Sequence, residues 1–150
     1  AEDGIRDKLV TGVQTCALPI YGQSGLKGIS GISSDMRALL ASDSPRAKLA
    51  IDFYAYRAAQ EIGKLAVTLG GLEALVFTAG IGANSPEIRA RICAHLTDLF
   101  GLSLDPAANG DNCQRVSHDA SRVPVLVMPT DEEGMIALST ARILRECGAI

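Results

Sequence analysis

The chain has 150 residues, 47% of them hydrophobic and 21% charged, with a formal net charge of −3 at pH 7. This length suffices for one globular domain with a buried core. The weakly acidic balance argues against nucleic acid and anionic membranes as partners, because both attract clustered Lys and Arg, and no apolar run is long enough to span a membrane. The cysteines form no C-x-x-C pair, which favours free, mostly buried thiols in a reducing, cytoplasmic compartment over disulfides or a metal site. They are Cys16, Cys93, Cys113 and Cys147.

Residues 1–20, AEDGIRDKLVTGVQTCALPI, differ in character from the rest of the chain. They show no helical or strand period, and acidic Glu2 and Asp3 stand where a secretory signal is positively charged. The stretch AEDGIRD resembles one reading frame of a sequencing-library indexing primer, and VTGVQTCALPI resembles the adapter that follows it. We interpret residues 1–20 as a non-native, adapter-derived segment, with a divergent N-terminal loop and strand as the alternative. Residues 21–150 then form the natural domain.

A Gly- and Ser-rich segment, residues 21–34, predicts a loop. Ser34 or Asp35 then caps a short helix that ends at Leu40. The residues alone leave two interpretations of this helix start. Asp35 is an N-cap with Arg37 solvated, or both contact the base or sugar of a nucleotide, Arg37 by stacking or hydrogen bonding.

The longest helical pattern begins at Ser44-Pro45, because proline suits a first helical position. Apolar residues then recur at steps of three and four and give one stripe. Gly70-Gly71 ends the pattern. The predicted stripe consists of Ala50, Tyr54, Ala58, Ile62, Leu65 and Leu69.

A buried strand over residues 74–78 leads into a turn over residues 79–85, AGIGANS, and then into a helix that starts at Pro86. Gly80 and Gly82 let the backbone approach a ligand, and N–H groups at such a turn bind phosphate. The turn nearly fits the dinucleotide fingerprint G-x-G-x-x-G, but a serine replaces the third glycine. It is not a P-loop, since no G-K-[ST] follows. A tight turn that merely needs glycine is the remaining alternative.

Alternating helices and apolar strands in the rest of the chain predict α/β layers with parallel pairing. The helix after the turn runs over residues 86–99, with Ile88, Ile92, His95 and Leu96 on its inward face. His95 and His118 have no metal-ligand spacing and receive no role. The remaining elements are a short strand over 102–104, a polar loop over 105–120, a buried strand over 123–128 and a helix over 131–145.

The second strand-to-helix junction, residues 128–134, carries three consecutive acids. Thr130 and Glu133 fit a capping box, T-x-x-E, and acids in a first helical turn suit the helix dipole. Alternatively, one carboxylate faces phosphates held by the glycine turn and anchors Mg²⁺, because ligands collect at the carboxyl ends of parallel strands. We predict that Glu132 is the metal ligand and Glu133 the cap.

Four motifs, taken together and in order, resemble those of the acetate kinase family over residues 21–144. They are SGLKGISGISSDMR at 24–37, AKLAIDFYAYRAAQEIGKL at 47–65, LEALVFTAGIGANSPEIRARI at 72–92 and VPVLVMPTDEEGMIA at 123–137. The resemblance implies the C-terminal part of the family's nucleotide-binding domain. The implied fold class is α/β, a partial actin-like ATPase domain, as in sugar kinases and Hsp70, with parallel strands and flanking helices.

The same resemblance implies an activity, its cofactors and a site. The family transfers the γ-phosphoryl group of ATP reversibly to acetate or a similar short-chain carboxylate, giving an acyl phosphate and ADP, with Mg²⁺. The implied metal ligand is Glu132. The implied nucleotide-binding residues are Asp35, Met36, Arg37, Gly80, Ile81, Gly82, Ala83 and Asn84.

No catalytic residue is assigned, because the family's phosphate motif and its catalytic arginine, histidine and aspartate would lie upstream of residue 21. We therefore expect this chain alone to fold poorly and to be inactive, while the full-length enzyme is implied to be a cytoplasmic homodimer. A propionate or butyrate kinase, a dinucleotide-binding oxidoreductase domain and a non-catalytic interaction module are the alternatives.

The sequence departs from the family pattern at four positions. The family usually has Gly-Gly-Ile-Gly-Glu-Asn, whereas Ala79 and Ala83 replace the first Gly and the Glu here. Asp131 stands where Asn is common. Gly134 replaces an apolar residue, which weakens its helix by up to about 1 kcal/mol.

Overall fold

The computed structural model describes residues 23–147, apart from the side chain of Glu132. The interpretation of residues 1–20 falls outside them. The described residues form two compact units, 23–71 with 91–96 and 72–90 with 97–147. The elements are α1 (Gly25–Ser30), α2 (Met36–Leu40), α3 (Pro45–Leu69), β1 (Leu75–Phe77), α4 (Ala79–Asn84), α5 (Pro86–Ala94), α6 (Thr97–Phe100), α7 (Pro106–Gly110), β2 (Val125–Val127) and α8 (Glu132–Glu146).

The Gly- and Ser-rich segment of the first unit contains a helix, so the prediction of a loop is wrong for Gly25–Ser30. Helix α1 ends at Gly31, which has a left-handed φ of 70°. The Gly31 N–H donates to the Lys27 carbonyl at 2.7 Å, a common helix end. Because α1 packs against α3, we infer that tertiary contact outweighs the low helix propensity of its glycines.

Helix α3 has the predicted bounds but buries a different face. It begins at Pro45 after Ser44 and ends at Gly70, which has a left-handed φ of 77°. Leu65 and Leu69 of the predicted stripe are 57% and 77% exposed. The buried positions are Ala47, Ala50, Ile51, Ala55, Ala59 and Ala66.

The buried face of α3 consists almost entirely of alanines, and α3 packs against α1 and α2. Small side chains allow helices to approach closely, whereas the stripe was predicted from large apolar residues. Among residues 23–147, no helix, α3 included, is both long and apolar enough to cross a membrane.

The second unit contains a parallel pair of strands, which confirms the predicted pairing. Leu75 pairs with Val125 and Phe77 pairs with Val127. All four residues lie on one face of the pair and are buried, whereas Val76 on the opposite face is 44% exposed, so the two strands are covered on one face. On the other side of β2 a bridge joins Arg115 to Leu126 in the antiparallel sense.

The polar stretch over residues 105–120 holds a helix that the sequence analysis missed. Asp105 caps α7, since its Oδ1 accepts from the N–H groups of Ala107 and Ala108 at 2.9 and 3.2 Å. Asp followed by Pro is a helix-start signal, and it was overlooked here. The strand predicted over 102–104 is reduced to one bridge, between Leu104 and Ser117.

The helix predicted over residues 86–99 is interrupted. Between α5 and α6, the His95 N–H donates to Ile92 and the Leu96 N–H to Cys93, at 3.2 and 2.9 Å, so the chain tightens into three-residue turns. Ile92 and Leu96 are buried as predicted, and so is Ile88. His95 is exposed, so its assignment to the inward face is wrong.

The described cysteines are free thiols. Cys93 is buried, whereas Cys113 and Cys147 are exposed, so the prediction of mostly buried thiols is wrong for two of the three. Cys16 lies outside the described residues.

The junction between β1 and α4 contains a residue in an unfavourable backbone conformation. Ala79 has a φ of 57°, in the left-handed region that glycine adopts without a Cβ penalty. The family pattern usually has glycine at this position. The strain therefore falls where the sequence departs from the family pattern that it resembles.

We predict that Ala79→Gly stabilises the protein by up to about 1 kcal/mol, because relief of the left-handed strain exceeds the added entropy of the unfolded chain. Urea denaturation measures the change. The control is Ala83→Gly on the same helix, which carries no left-handed φ and is expected to lower stability by about 0.5–1 kcal/mol. Equal destabilisation by both substitutions would contradict the assignment of strain to Ala79.

Candidate functional site

A cavity of about 550 Å³ lies in the second unit, between its two strand-to-helix junctions. Its first wall comes from α4, after β1, and its second from the segment that joins β2 to α8. The Met128 N–H donates to the Phe77 carbonyl at 2.9 Å, so the two strands end side by side. The lining residues are Ala79, Gly80, Ala83, Asn84, Pro129, Thr130, Asp131 and Glu133.

The first wall is a helix rather than the open glycine turn that the sequence predicted. Within a helix the later N–H groups are used in its own hydrogen bonds, so only those of the first turn stay available to a ligand. The Asn84 side chain is also engaged, because its Nδ2 donates to the Gly80 carbonyl at 2.9 Å. The prediction that the N–H groups of an open turn face a phosphate is therefore wrong beyond the first turn of α4.

The two glycines of α4 have different surroundings. A Cβ on Gly80 would meet no protein atom within 4 Å, and Gly80 lines the cavity. A Cβ on Gly82 would lie 3.5 Å from the Cβ of Phe77, an ordinary contact. Ile81 and Gly82 are not among the residues that line the cavity. Of the predicted nucleotide-binding residues in this segment, Gly80, Ala83 and Asn84 are the ones that do.

The second wall is capped by a different residue from the one predicted. The Oδ1 atom of Asp131 accepts from the Gly134 N–H at 2.8 Å, which makes Asp131 the N-cap of α8. The predicted capping box of Thr130 and Glu133 is thus wrong. A Cβ at position 134 would overlap the Asp131 carboxylate, so this cap conformation needs glycine there.

The acidic residues dominate the charge of the cavity. Asp131 and Glu133 line it, and no Lys or Arg of residues 23–147 is among its lining residues. The side chain of Glu132, the predicted metal ligand, lies outside what the structure describes, so its role stays a prediction. Within residues 23–147, no group of three or more His, Cys, Asp or Glu side chains is arranged to hold a metal.

Asp35, Met36 and Arg37, the other predicted nucleotide-binding residues, lie at the start of α2 in the first unit. Asp35 is the N-cap, as one interpretation predicted: its Oδ1 accepts from the Arg37 N–H at 2.9 Å. Both carboxylate oxygens also accept from the Arg37 guanidinium, at 3.2 and 2.9 Å. Met36 is buried, whereas the Arg37 side chain is 90% exposed. The structure thus orients Arg37 towards solvent, and its contact with a nucleotide stays a prediction.

The Arg37 side chain, together with the Arg37 backbone N–H, holds the pKa of the Asp35 carboxyl below its ordinary value. The same carboxylate raises the pKa of the guanidinium. Hydrogen bonds to the charged form of an acid lower its pKa in this way. Asp35 therefore stays ionised to a lower pH in the folded chain than in the unfolded chain.

We predict that Arg37→Met raises the pKa of Asp35 towards its ordinary value, but not fully, because the backbone N–H of residue 37 still donates. NMR titration of the Asp35 carboxyl carbon measures this. Since the folded pKa is depressed, the stability that this group contributes is present above its unfolded pKa and is lost as pH falls through the folded one. Arg57→Met, which removes an exposed guanidinium from α3, is the control. An Asp35 pKa that does not respond to Arg37→Met refutes the assignment.

A buried arginine was missed by the sequence analysis. Arg89 of α5 is 0% exposed and its guanidinium donates to the carbonyls of Gly82 and Ala83 at 2.9 and 3.0 Å. The available signal was its position, next to Ile88 and three residues before Ile92, on the face of α5 predicted to be buried. A long cation on such a face requires polar partners, because an unpaired buried charge is costly.

The chain is similar in sequence to known proteins of one family. The sequence model of the acetokinase family matches residues 9–138, a range that begins inside the segment interpreted as adapter-derived. The acetate kinases of Nitrobacter hamburgensis and Rhizobium meliloti are each 53% identical over 125 residues, which is 83% of this chain but 31% and 32% of theirs. The chain thus spans about a third of the length of the curated relatives it matches.

Two solved structures are similar in fold. The acetate kinase from Entamoeba histolytica aligns with a TM-score of 0.72 and 35% identity, over 82% of this chain and 34% of that one. A propionate kinase from Francisella tularensis gives 0.70 and 36%, over 77% and 30%. These likenesses confirm the predicted fold class, an α/β part of the actin-like ATPase fold. This chain belongs to the acetokinase family.

Proposed function

We propose that this chain is part of an acetate kinase, which transfers the γ-phosphoryl group of ATP reversibly to acetate and gives acetyl phosphate and ADP. The observation that carries the proposal is the cavity of the second unit, which brings α4 and the Asp131 junction together in a chain of the acetokinase family. In open α/β sheets, ligands bind at the carboxyl ends of the strands, where this cavity lies.

The charge of the cavity favours a nucleotide that arrives with its metal ion. A free polyphosphate would be repelled by Asp131 and Glu133, and the part of the chain that the structure describes lines the cavity with no basic side chain to offset them. Carboxylate oxygens are the donors that Mg²⁺ prefers, so the donor set of this junction fits that ion. Bound Mg²⁺ would neutralise phosphate charge. We propose that Glu132 holds it, usually through water, while Asp131 remains the helix cap.

The proposed nucleotide-binding residues differ in what they contribute to the site. Gly80, Ala83 and Asn84 form the wall beside the phosphates, with Ile81 and Gly82 supporting it from within α4. From the family resemblance we also propose that Asp35, Met36 and Arg37 contact the nucleotide, Met36 through its backbone because its side chain is buried.

Propionate is the second candidate substrate, because the similar structure from Francisella tularensis is that of a propionate kinase. A cytoplasmic location and a homodimer are proposed for the whole enzyme from the family resemblance.

We predict Mg²⁺-dependent binding of ADP by the folded fraction of this chain, and that Gly80→Leu weakens it at least tenfold, because the added side chain enters the cavity without meeting protein atoms at its Cβ. Isothermal titration calorimetry with Mg·ADP, with ADP in EDTA and with NADH measures this. The control is Gly63→Leu on α3, where a Cβ also meets nothing. Tighter binding of NADH than of Mg·ADP, or equal affinities of both variants, would overturn the proposal.

We predict no turnover above background when the 150-residue chain is given ATP, acetate and Mg²⁺ in a coupled assay for ADP. The chain spans about a third of its relatives' length, and phosphoryl transfer depends on groups that clamp the phosphates from several sides. Formation of ADP above background that requires acetate would refute this expectation.

A further inference from the structure

Arg89 contacts the helix that forms the first cavity wall, but it is not among the residues that line the cavity. Its Nη1 atom donates to the Gly82 and Ala83 carbonyls at 2.9 and 3.0 Å. Helix α4 ends at Asn84, so these carbonyls belong to its last turn, where no helical N–H group is available to them. A cation at this end of a helix is also favoured by the helix dipole. Arg89 therefore supplies hydrogen-bond donors to the C-terminal carbonyls of a helix that is only six residues long.

The rest of the guanidinium is held by two asparagines. Its Nε donates to Asn109 Oδ1 at 2.7 Å, and its Nη2 donates to the Asn109 carbonyl at 2.8 Å and to Asn112 Oδ1 at 2.6 Å. Asn109 is itself buried and donates to the Pro86 carbonyl at 2.9 Å. Arg89 thus links α4 to α7 and to the turn that follows α7.

Asn112 has a backbone conformation that is uncommon for a residue with a side chain. Its φ is 52°, in the left-handed region, where asparagine and aspartate are tolerated better than other residues with a side chain. This conformation accompanies the short hydrogen bond that its Oδ1 accepts from Arg89 Nη2. Replacement by glycine keeps the backbone conformation accessible and removes only the acceptor.

We propose that Arg89 is a positioning residue: held by Asn109 and Asn112, it fixes the last turn of α4 and thereby the Ala83–Asn84 part of the cavity wall. The proposal rests on the proposed function, because it assigns Arg89 an effect on nucleotide affinity without contact to the nucleotide. A planar fork with donors on three nitrogens reaches both sides of this link, whereas a lysine ammonium cannot.

Hydrogen exchange without nucleotide tests the positioning part. Asn112→Gly is expected to speed exchange of the amides of residues 83–85 about tenfold, because a hydrogen bond to a charged group is lost. The Val127 amide of β2, which donates to the Gln114 carbonyl, should keep its rate. Asn112→Asp retains an oxygen acceptor and should restore slow exchange. Equal acceleration at Val127 would show a general loss of stability and overturn the proposal.

Affinity for Mg·ADP tests the functional part. Asn112→Gly and Arg89→Lys are expected to weaken binding at least fivefold, with Asn112→Asp close to the unsubstituted chain. Arg91→Met, two residues along α5 and paired with Asp52, is the matched control and should bind as the unsubstituted chain does.

The outcomes separate this proposal from the proposed function. Faster exchange at residues 83–85 with unchanged Mg·ADP affinity overturns the role of Arg89 and leaves the proposed function standing. If the unsubstituted chain does not bind Mg·ADP, the proposed function fails. The exchange pattern then decides alone whether Arg89 holds α4.

Discussion

The candidate site depends on the parallel pairing of β1 with β2. Parallel strands end at the same edge of a sheet, so the segments that leave them start as neighbours. The hydrogen bond from the Met128 N–H to the Phe77 carbonyl extends this pairing to the last residue before the junctions. Both atoms belong to the backbone, so side-chain substitutions at these positions do not remove the bond. The side chains of the two junctions can therefore differ while the backbone pairing that places them stays the same.

The helices of the two cavity walls are capped at opposite ends by side chains of opposite charge. Helix α4 has its last carbonyls satisfied by a buried guanidinium, whereas α8 has a first-turn N–H group satisfied by the exposed carboxylate of Asp131. A buried cation with several acceptors holds its partners more rigidly than an exposed carboxylate with one donor, because solvent competes less for its hydrogen bonds. We therefore expect the α4 wall to be the stiffer of the two.

Long helices with periodic apolar residues, and helix ends marked by proline or glycine, were predictable from the sequence. Pro45 and Gly70 gave the bounds of α3, the short apolar runs gave both strands, and Asp35 was one of two proposed caps. These signals are local, and each rests on backbone geometry that few residues satisfy.

The failures arose where tertiary contacts decide between local alternatives. Glycine-rich α1 and α4 are poor helices by propensity, and each is held by a contact with another helix, α1 by α3 and α4 by Arg89 of α5. The buried face of α3 was chosen by the fit of alanines rather than by side-chain hydrophobicity. At the second junction, Thr130 and Asp131 were both acceptable caps, and the sequence pattern T-x-x-E favoured the wrong one. Local patterns already pointed to the Gly80–Gly82 turn and to Glu132, and the resemblance to the acetate kinase family added the other proposed nucleotide-binding residues.

The contact between Asp131 and Gly134 also couples two positions of the second junction. In the observed conformation the Asp131 carboxylate lies where any other residue at 134 would place its Cβ. An apolar residue at 134, as in the family pattern, would require the carboxylate to rotate away and to release the N–H of residue 134. Substitutions at 131 and 134 are therefore expected to be non-additive, because the effect of each depends on the residue at the other position.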